Sequence, residues 1–358
     1  MTICYFGDYD QSYNRTRVLI RGLERAGAKV LHCNVRGKSG IKLYSELWKQ
    51  HRALKGKYDI LFVGLGNARF MPTFARLISS KPVVWEPLFA LYDNWVFDRK
   101  YVKQHSLKAY KLWFVDWLGC KAADLVVLDV DTHARFFQKL FRLPARKFAH
   151  ALVGADTDIF YPRERTHSSK NFEVEFHGKY IPLHGAEVII RAAKLLENEN
   201  IHFTMIGDGQ DAAKTKKLAE DLELSNVTFL PFMSEKEITS YIANADVCTA
   251  ILGDVPRVTR SIPNKMYQAA AMARVSINVD SSSLREVFTP GIDAVTACPG
   301  DSEDLARAVR ELKESGRAYE MGQAAYETFQ RNATPKLIGK RLLTVLEERL
   351  QVPVHTSL

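Results

Sequence analysis

Three turns in the second half of this 358-residue chain gather glycine, lysine and histidine where an anion would meet them. Phe176-His177-Gly178-Lys179 ends an apolar, strand-like run, and Leu183-His184-Gly185 opens the helical pattern that follows. A glycine at a strand tip lets the backbone come close to a ligand. Lys179, His184 and the free amides of a helix start can then face phosphate charge. Gly207-Asp208-Gly209-Gln210 repeats the arrangement after the run His202–Ile206. Arg260-Ser261-Ile262-Pro263-Asn264-Lys265 leads into a third helix, with Pro263 suited to its first turn and Lys265 placed to meet an anion. Each turn alone reads as an ordinary loop. Three in order at strand ends point to a phosphate-bearing ligand.

Such turns need a sheet to hold them. Strand-length apolar runs at Ile3–Phe6, Ala28–Cys33, Tyr58–Val63, Pro82–Trp85 and Leu125–Leu128 alternate with helical spacing over 15–26, 41–54 and around 102–119. This predicts a parallel sheet covered on both faces. The pattern breaks over 153–165 and then resumes from Phe172 to Glu314. The expected fold is therefore α/β, with two doubly wound, Rossmann-like domains over 1–155 and 160–330 facing across a cleft. The last periodic segment, Pro335–Leu350, is amphipathic. The length suits two such domains.

Charge is unevenly shared. The net charge is +9, and counting along the chain assigns +14 to residues 1–150 and −5 to the rest. A basic first half suggests an anionic partner. Basic and aromatic residues alternate at helical spacing from Lys100 through Lys108, Tyr110, Lys111, Trp113, Phe114 and Trp117. That stretch reads either as a peripheral membrane contact or cradle for a lipid-linked acceptor, or as a helix burying its rings. Five scattered cysteines indicate reduced thiols and a cytoplasmic location, with the inner face of the membrane as an extension of it. No apolar run approaches membrane-spanning length. Gly64-Leu65-Gly66 departs from the dinucleotide fingerprint at Arg69, and Asp129-Val130-Asp131 reads as a helix start, so neither a nicotinamide cofactor nor a metal is expected. Nucleic acid is not an expected partner, and the oligomeric state is left open.

Residues 172–310 resemble the donor domain of retaining glycosyltransferases of the family 4 type, with the GT-B fold. The resemblance is carried by F-H-G-K-Y-I-P-L-H-G, I-G-D-G-Q-D, V-T-F-L-P-F-M-S-E-K-E-I, I-P-N-K-M-Y-Q-A-A-A-M-A and L-R-E-V-F. The linker V-G-A-D-T-D-I-F-Y-P is similar to the family's hinge. The opening Y-F-G-D-Y-D and the stretch L-F-A-L-Y-D-N-W-V-F-D-R resemble a bacterial subgroup active in glycan or glycolipid assembly.

The resemblance implies a nucleotide-sugar donor on the second domain and an acceptor on the first, with the final helix (335–358) crossing back onto the first. It places Gly7, Gly178, Lys179, His184, Gly207, Asp208 and Gly209 around the donor. Phe232 and Met233 would lie by the base, and Arg260, Asn264, Lys265 and Gln268 along the helix start. Asp93 and Asp98 become candidates near the reacting sugar, beside Lys179, and Arg15 and Glu86 candidates for the acceptor. Cofactors are not implied, because the leaving diphosphate takes the acceptor proton. The family's paired glutamates fall on Arg260 and Gln268, a departure that puts turnover in question. A nucleotide-sugar-binding protein without activity and a GT-B nucleotide-sugar epimerase are the alternatives.

Overall fold

The computed structural model of the chain describes residues 1–166 and 169–352. It divides into two compact units, Met1–Val153 joined by the chain from Thr334, and Gly154–Ala333.

The first unit runs β1 (Thr2–Gly7), α1 (Asn14–Arg25), β2 (Lys29–Asn34), α2 (Gly40–Leu54), β3 (Ile60–Val63), α3 (Met71–Ile78) and β4 (Val83–Trp85). A single turn, α4 (Leu91–Asp93), leads into π-helical Asn94–Asp98. It is followed by α5 (Leu107–Ala122), β5 (Leu125–Leu128), α6 (Asp131–Phe141) and β6 (Phe148–His150). The strands form one parallel sheet in the order β2-β1-β3-β4-β5-β6. Every residue of β3 and β5 is buried, which is why these strands read as unbroken apolar runs.

The second unit runs β7 (Phe172–Lys179), α7 (Ala186–Leu195), β8 (Ile201–Asp208), α8 (Ala212–Asp221), β9 (Val227–Leu230), α9 (Glu235–Asn244) and β10 (Val247–Thr249). It continues through α10 (Asn264–Ala271), β11 (Val275–Val279), β12 (Val295–Ala297), α11 (Ser302–Ser315) and α12 (Ala318–Asn332). Its sheet is parallel with order β12-β11-β10-β7-β8-β9, so β7 lies centrally between β10 and β8. The core is built from Phe176, Phe203 and Met205 against Ile189, Ile190 and Leu305 of the covering helices.

The final helix, α13 (Pro335–Leu350), lies in the first unit against α1. Leu342 and Leu346 join Val18, Leu19 and Leu23 in one buried cluster. The two helices touch backbone to backbone: a Cβ on Gly339 would stand 1.9 Å from the Gly22 carbonyl oxygen, and one on Gly22 2.4 Å from that of Pro335. Residues 353–358, part of the tail assigned from the sequence, lie outside the described residues.

Five labelled elements escape the sequence reading: β6, β12, α3, the single turn α4, and α12. β6 and β12 are three residues each, too short to display a period. α3 is only two turns long. α12 carries Gly322 in its interior, where a side chain would collide with the Ala273 carbonyl oxygen at 2.5 Å, so a helix-weakening residue is required by packing. The helical spacing read around 102–119 begins at Leu107, because the Ser106 hydroxyl accepts the Ala109 amide and caps the helix there.

Candidate functional site

In the second unit β7 and β8 run side by side with Gly178 opposite Gly207 and Lys179 opposite Asp208. The contact at this pair leaves no room for a side chain. A Cβ on Gly207, whose φ is 133°, would stand 2.0 Å from the Gly178 carbonyl oxygen. Gly209, at φ 155°, closes the turn over Tyr180, and its amide donates to the Asp208 carboxylate at 2.7 Å. The Tyr180 amide donates to the Asp208 carbonyl, and the Asp211 amide to that of Tyr180. These bonds tie the two strand tips together and expose Lys179, Asp208 and Gly209 at their end.

His184 stands next to this tip. Its Nδ1 lies 2.6 Å from the Lys179 carbonyl oxygen, so that nitrogen donates, and its ring meets the edge of Phe176. Lys265, the second residue of α10, reaches the same place from below. Its ammonium sits 3.8 Å from the centre of the Phe176 ring, and a Cβ built on Gly178 would approach it to 3.4 Å. The residue is 5% exposed, and its Nζ has no hydrogen-bond partner among the described residues. Burial pushes the amine down to about 7, with the Glu175 carboxylate pulling it back only in part. An unpartnered ammonium so enclosed is costly, and an anion at the strand tip would repay it. Pro263 precedes α10 with no side-chain cap, leaving the helix amides and dipole directed the same way.

Beneath the tip lies a polar chain that sequence reasoning missed. Glu175 and His177 share the face of β7 opposite Phe176, with Glu175 Oε1 2.8 Å from His177 Nδ1. The other imidazole nitrogen, Nε2, lies 2.9 Å from Gln268 Oε1 and donates to it. The Gln268 amide nitrogen donates to Glu235 Oε1 at 3.3 Å. Gln268, expected among the donor contacts, thus has both ends of its amide engaged inside the protein. The two-residue alternation of β7 was the available signal, since it puts Glu175 and His177 on one face. Asn264 and Arg260 are half-buried around the start of α10, Met233 is half-buried, and Phe232 is 75% exposed.

The first unit treats its candidates differently. Gly7 ends β1 with φ 138°, and the adjoining Asp8 carboxylate accepts the amides of Asn67 and Ala68, drawing the loop after β3 against that strand end. Arg15 and Glu86, expected on an acceptor, are both fully buried and bound to each other at 3.2 Å. Arg15 also donates to the carbonyls of Leu128, Ala151 and Leu152. The pair therefore joins α1, β4 and the chain after β6 inside the core, and neither residue faces solvent. Burial lifts the Glu86 carboxyl to about 7 despite the Arg15 guanidinium. Asp93 and Asp98 are likewise enclosed, at 1% and 0% exposed.

Comparison with known proteins bears on both the fold and this site. Two parallel, helix-covered sheets of this order define a GT-B fold of two Rossmann-like domains. Sucrose-phosphate synthase from Thermosynechococcus elongatus matches 98% of the chain and all of its own with a TM-score of 0.78 at 13% identity. Anabaena HepE, solved in complex with UDP-glucose, matches 97% of the chain and all of its own with a TM-score of 0.74 at 15% identity. Residues 172–315, which hold the strand tips, Lys265 and Gln268, match the model of the glycosyl transferases group 1. WcaI of Escherichia coli strain K12, described as a colanic acid biosynthesis glycosyl transferase, is 25% identical over 171 residues. That match spans 46% of this chain and 40% of the relative.

Proposed function

We propose that the chain is a glycosyltransferase that takes a sugar from a nucleotide diphosphate donor held by the second unit and passes it to an acceptor hydroxyl. The observation that carries this reading is the Lys265 ammonium, buried and without a hydrogen-bond partner among the described residues, directly under the glycine strand tip. A diphosphate at that tip would meet Lys265, Lys179 and the first amides of α10. The same cations would stabilise the charge that grows on the diphosphate as the sugar leaves. The group 1 match over these residues and the UDP-glucose complex of HepE support the donor class.

With Asp93 and Asp98 enclosed, the reading assigns the acceptor proton to the leaving diphosphate oxygen, in a reaction on one face of the sugar that retains its configuration. Neither a protein nucleophile nor a metal has a role in it. The basic first unit is assigned the acceptor, in the assembly of a bacterial glycan or glycolipid.

Engagement of Gln268 with His177 and Glu235 favours a second reading, a protein that binds the donor without turning it over. One experiment separates the two. Nucleoside diphosphates are screened for thermal stabilisation, and UDP-glucose and its analogues are then assayed for hydrolysis and transfer. Stabilisation with sugar consumption supports the enzyme. Stabilisation without consumption leaves the binding protein, and the donor-site reading is lost if no nucleotide stabilises the chain.

A further inference from the structure

We infer that the outer face of α5, with the segment before it, is a docking surface for an anionic lipid bilayer. α5 belongs to the first unit, whereas the donor residues of the strand tips belong to the second. α5 is apolar on two sides. Its inner side buries Ala109, Leu112, Gly119 and Cys120. Its outer side carries Leu107, Tyr110 and Phe114, spaced by three and four residues in one stripe, at 82%, 58% and 51% exposed. An apolar stripe on the solvent side of a helix calls for a cover. Tyr101, 57% exposed, sets its ring edge-on against Trp95, over which Lys108 stands.

Charge decides what covers it. Between Gly64 and Ala123 all four carboxylates, Glu86, Asp93, Asp98 and Asp116, are buried, while eight of the nine lysines and arginines are exposed, of which Arg76 is paired with the exposed Asp124 carboxylate just beyond. Lys108 and Lys111 edge the stripe, and Lys100 and Lys103 lie on the segment leading into it. Lys108 and Arg69 both stand over the Trp95 ring, at 5.4 and 4.7 Å, which ties the loop after β3 to the same surface. A second copy of the chain would bring these lysines against their own like. A polyanion alone would leave the leucine and the rings in water. A bilayer bearing acidic headgroups satisfies both, with lysines at the phosphates and Leu107, Tyr110 and Phe114 at the acyl boundary. No helix among the described residues is long and apolar enough to cross a membrane, so the contact is one of lying on the surface.

The test is vesicle flotation of the full chain at physiological salt. Vesicles of phosphatidylcholine alone are compared with vesicles also containing phosphatidylglycerol. Wild type should float with the acidic vesicles only. The triple variant Lys103→Glu, Lys108→Glu, Lys111→Glu should lose about a hundredfold in partitioning, the change that about 1 kcal/mol per cation implies for three. The variant Tyr110→Ser, Phe114→Ser should lose binding as well, although its charge is unchanged. All the substituted residues are exposed, and unaltered melting temperatures confirm the fold of both variants. The inference is overturned if wild type does not float, or floats equally with neutral vesicles. It is overturned in favour of a polyanion site if only the charge variant fails, and in favour of a self-contact if wild type forms dimers that the aromatic variant abolishes.

Discussion

Lys265→Met keeps the side chain's length and removes its charge, and it tests the electrostatic core of the proposed function. Burial lowers the amine from 10.5 to about 7. That difference is ~3.5 units, at about 1.4 kcal/mol for each. Near neutral pH the unfolded chain holds the proton fully and the folded chain about half of it. Carrying the lysine therefore costs the unliganded fold on the order of 4 kcal/mol. Attraction to the Phe176 ring offsets about 1–2 kcal/mol, leaving a net cost of roughly 2–3. The unfolded state binds more protons between about 7 and 10.5, so wild-type stability should rise with pH across that window.

The methionine variant should be more stable by roughly 2–3 kcal/mol at pH 7 and should lack this rise. A diphosphate favours the charged lysine, so UDP affinity in wild type should fall as pH climbs through the same window. The assays are denaturant unfolding at several pH values and thermal shifts with UDP against uridine. A variant less stable than wild type at pH 7, parallel pH profiles, or a preference for UDP over uridine as strong as that of wild type would refute this role of Lys265.

Three further outcomes follow from the packing. Gly207→Ala puts a methyl 2.0 Å from the Gly178 carbonyl oxygen and must part the two strand tips. It should cost about 2 kcal/mol or more, read by chemical unfolding, and erase stabilisation by UDP. Arg15→Met strands the Glu86 carboxylate in the core and should cost about 3–5 kcal/mol. Glu86 is already raised from 4.5 to about 7, so the folded state holds its proton more tightly and stability declines as pH rises across that range. Without Arg15 the decline should extend above 7, so the loss relative to wild type should be larger at pH 8 than at pH 5; equal losses at both would contradict it. Ala273 holds a left-handed backbone at φ 55° just past the end of α10. Ala273→Gly should therefore raise stability by roughly 0.5–1 kcal/mol in calorimetry, and a loss would show that contacts of the methyl outweigh the strain.

Much of this protein was legible from local pattern. Unbroken apolar runs such as Ile60–Val63 mark strands covered on both faces, because both of their surfaces are dry. Glycines at 178, 207 and 209 mark the strand tips, because only a missing side chain permits the approach of Gly207 to Gly178. Pro263 marked the start of α10 and so placed Lys265 in its first turn. Charge type was also readable, and it flagged the basic first half before any fold was known.

Burial was not readable, because it is a property of what packs around a residue and not of its neighbours in sequence. Arg15, Glu86, Asp93 and Asp98 look like free chemistry in the sequence, yet the fold encloses all four, and Arg15 finds its carbonyl partners more than a hundred residues away. Gln268 meets His177 across 91 residues, a contact that no spacing rule encodes. The stretch from Lys100 to Trp117 admitted two readings, since helical period shows which residues share a face but not which face meets water. The sequence by itself determined the period, the charge and the turns of this chain. Tertiary packing alone decided which of its charges and rings remained available to a ligand or a membrane.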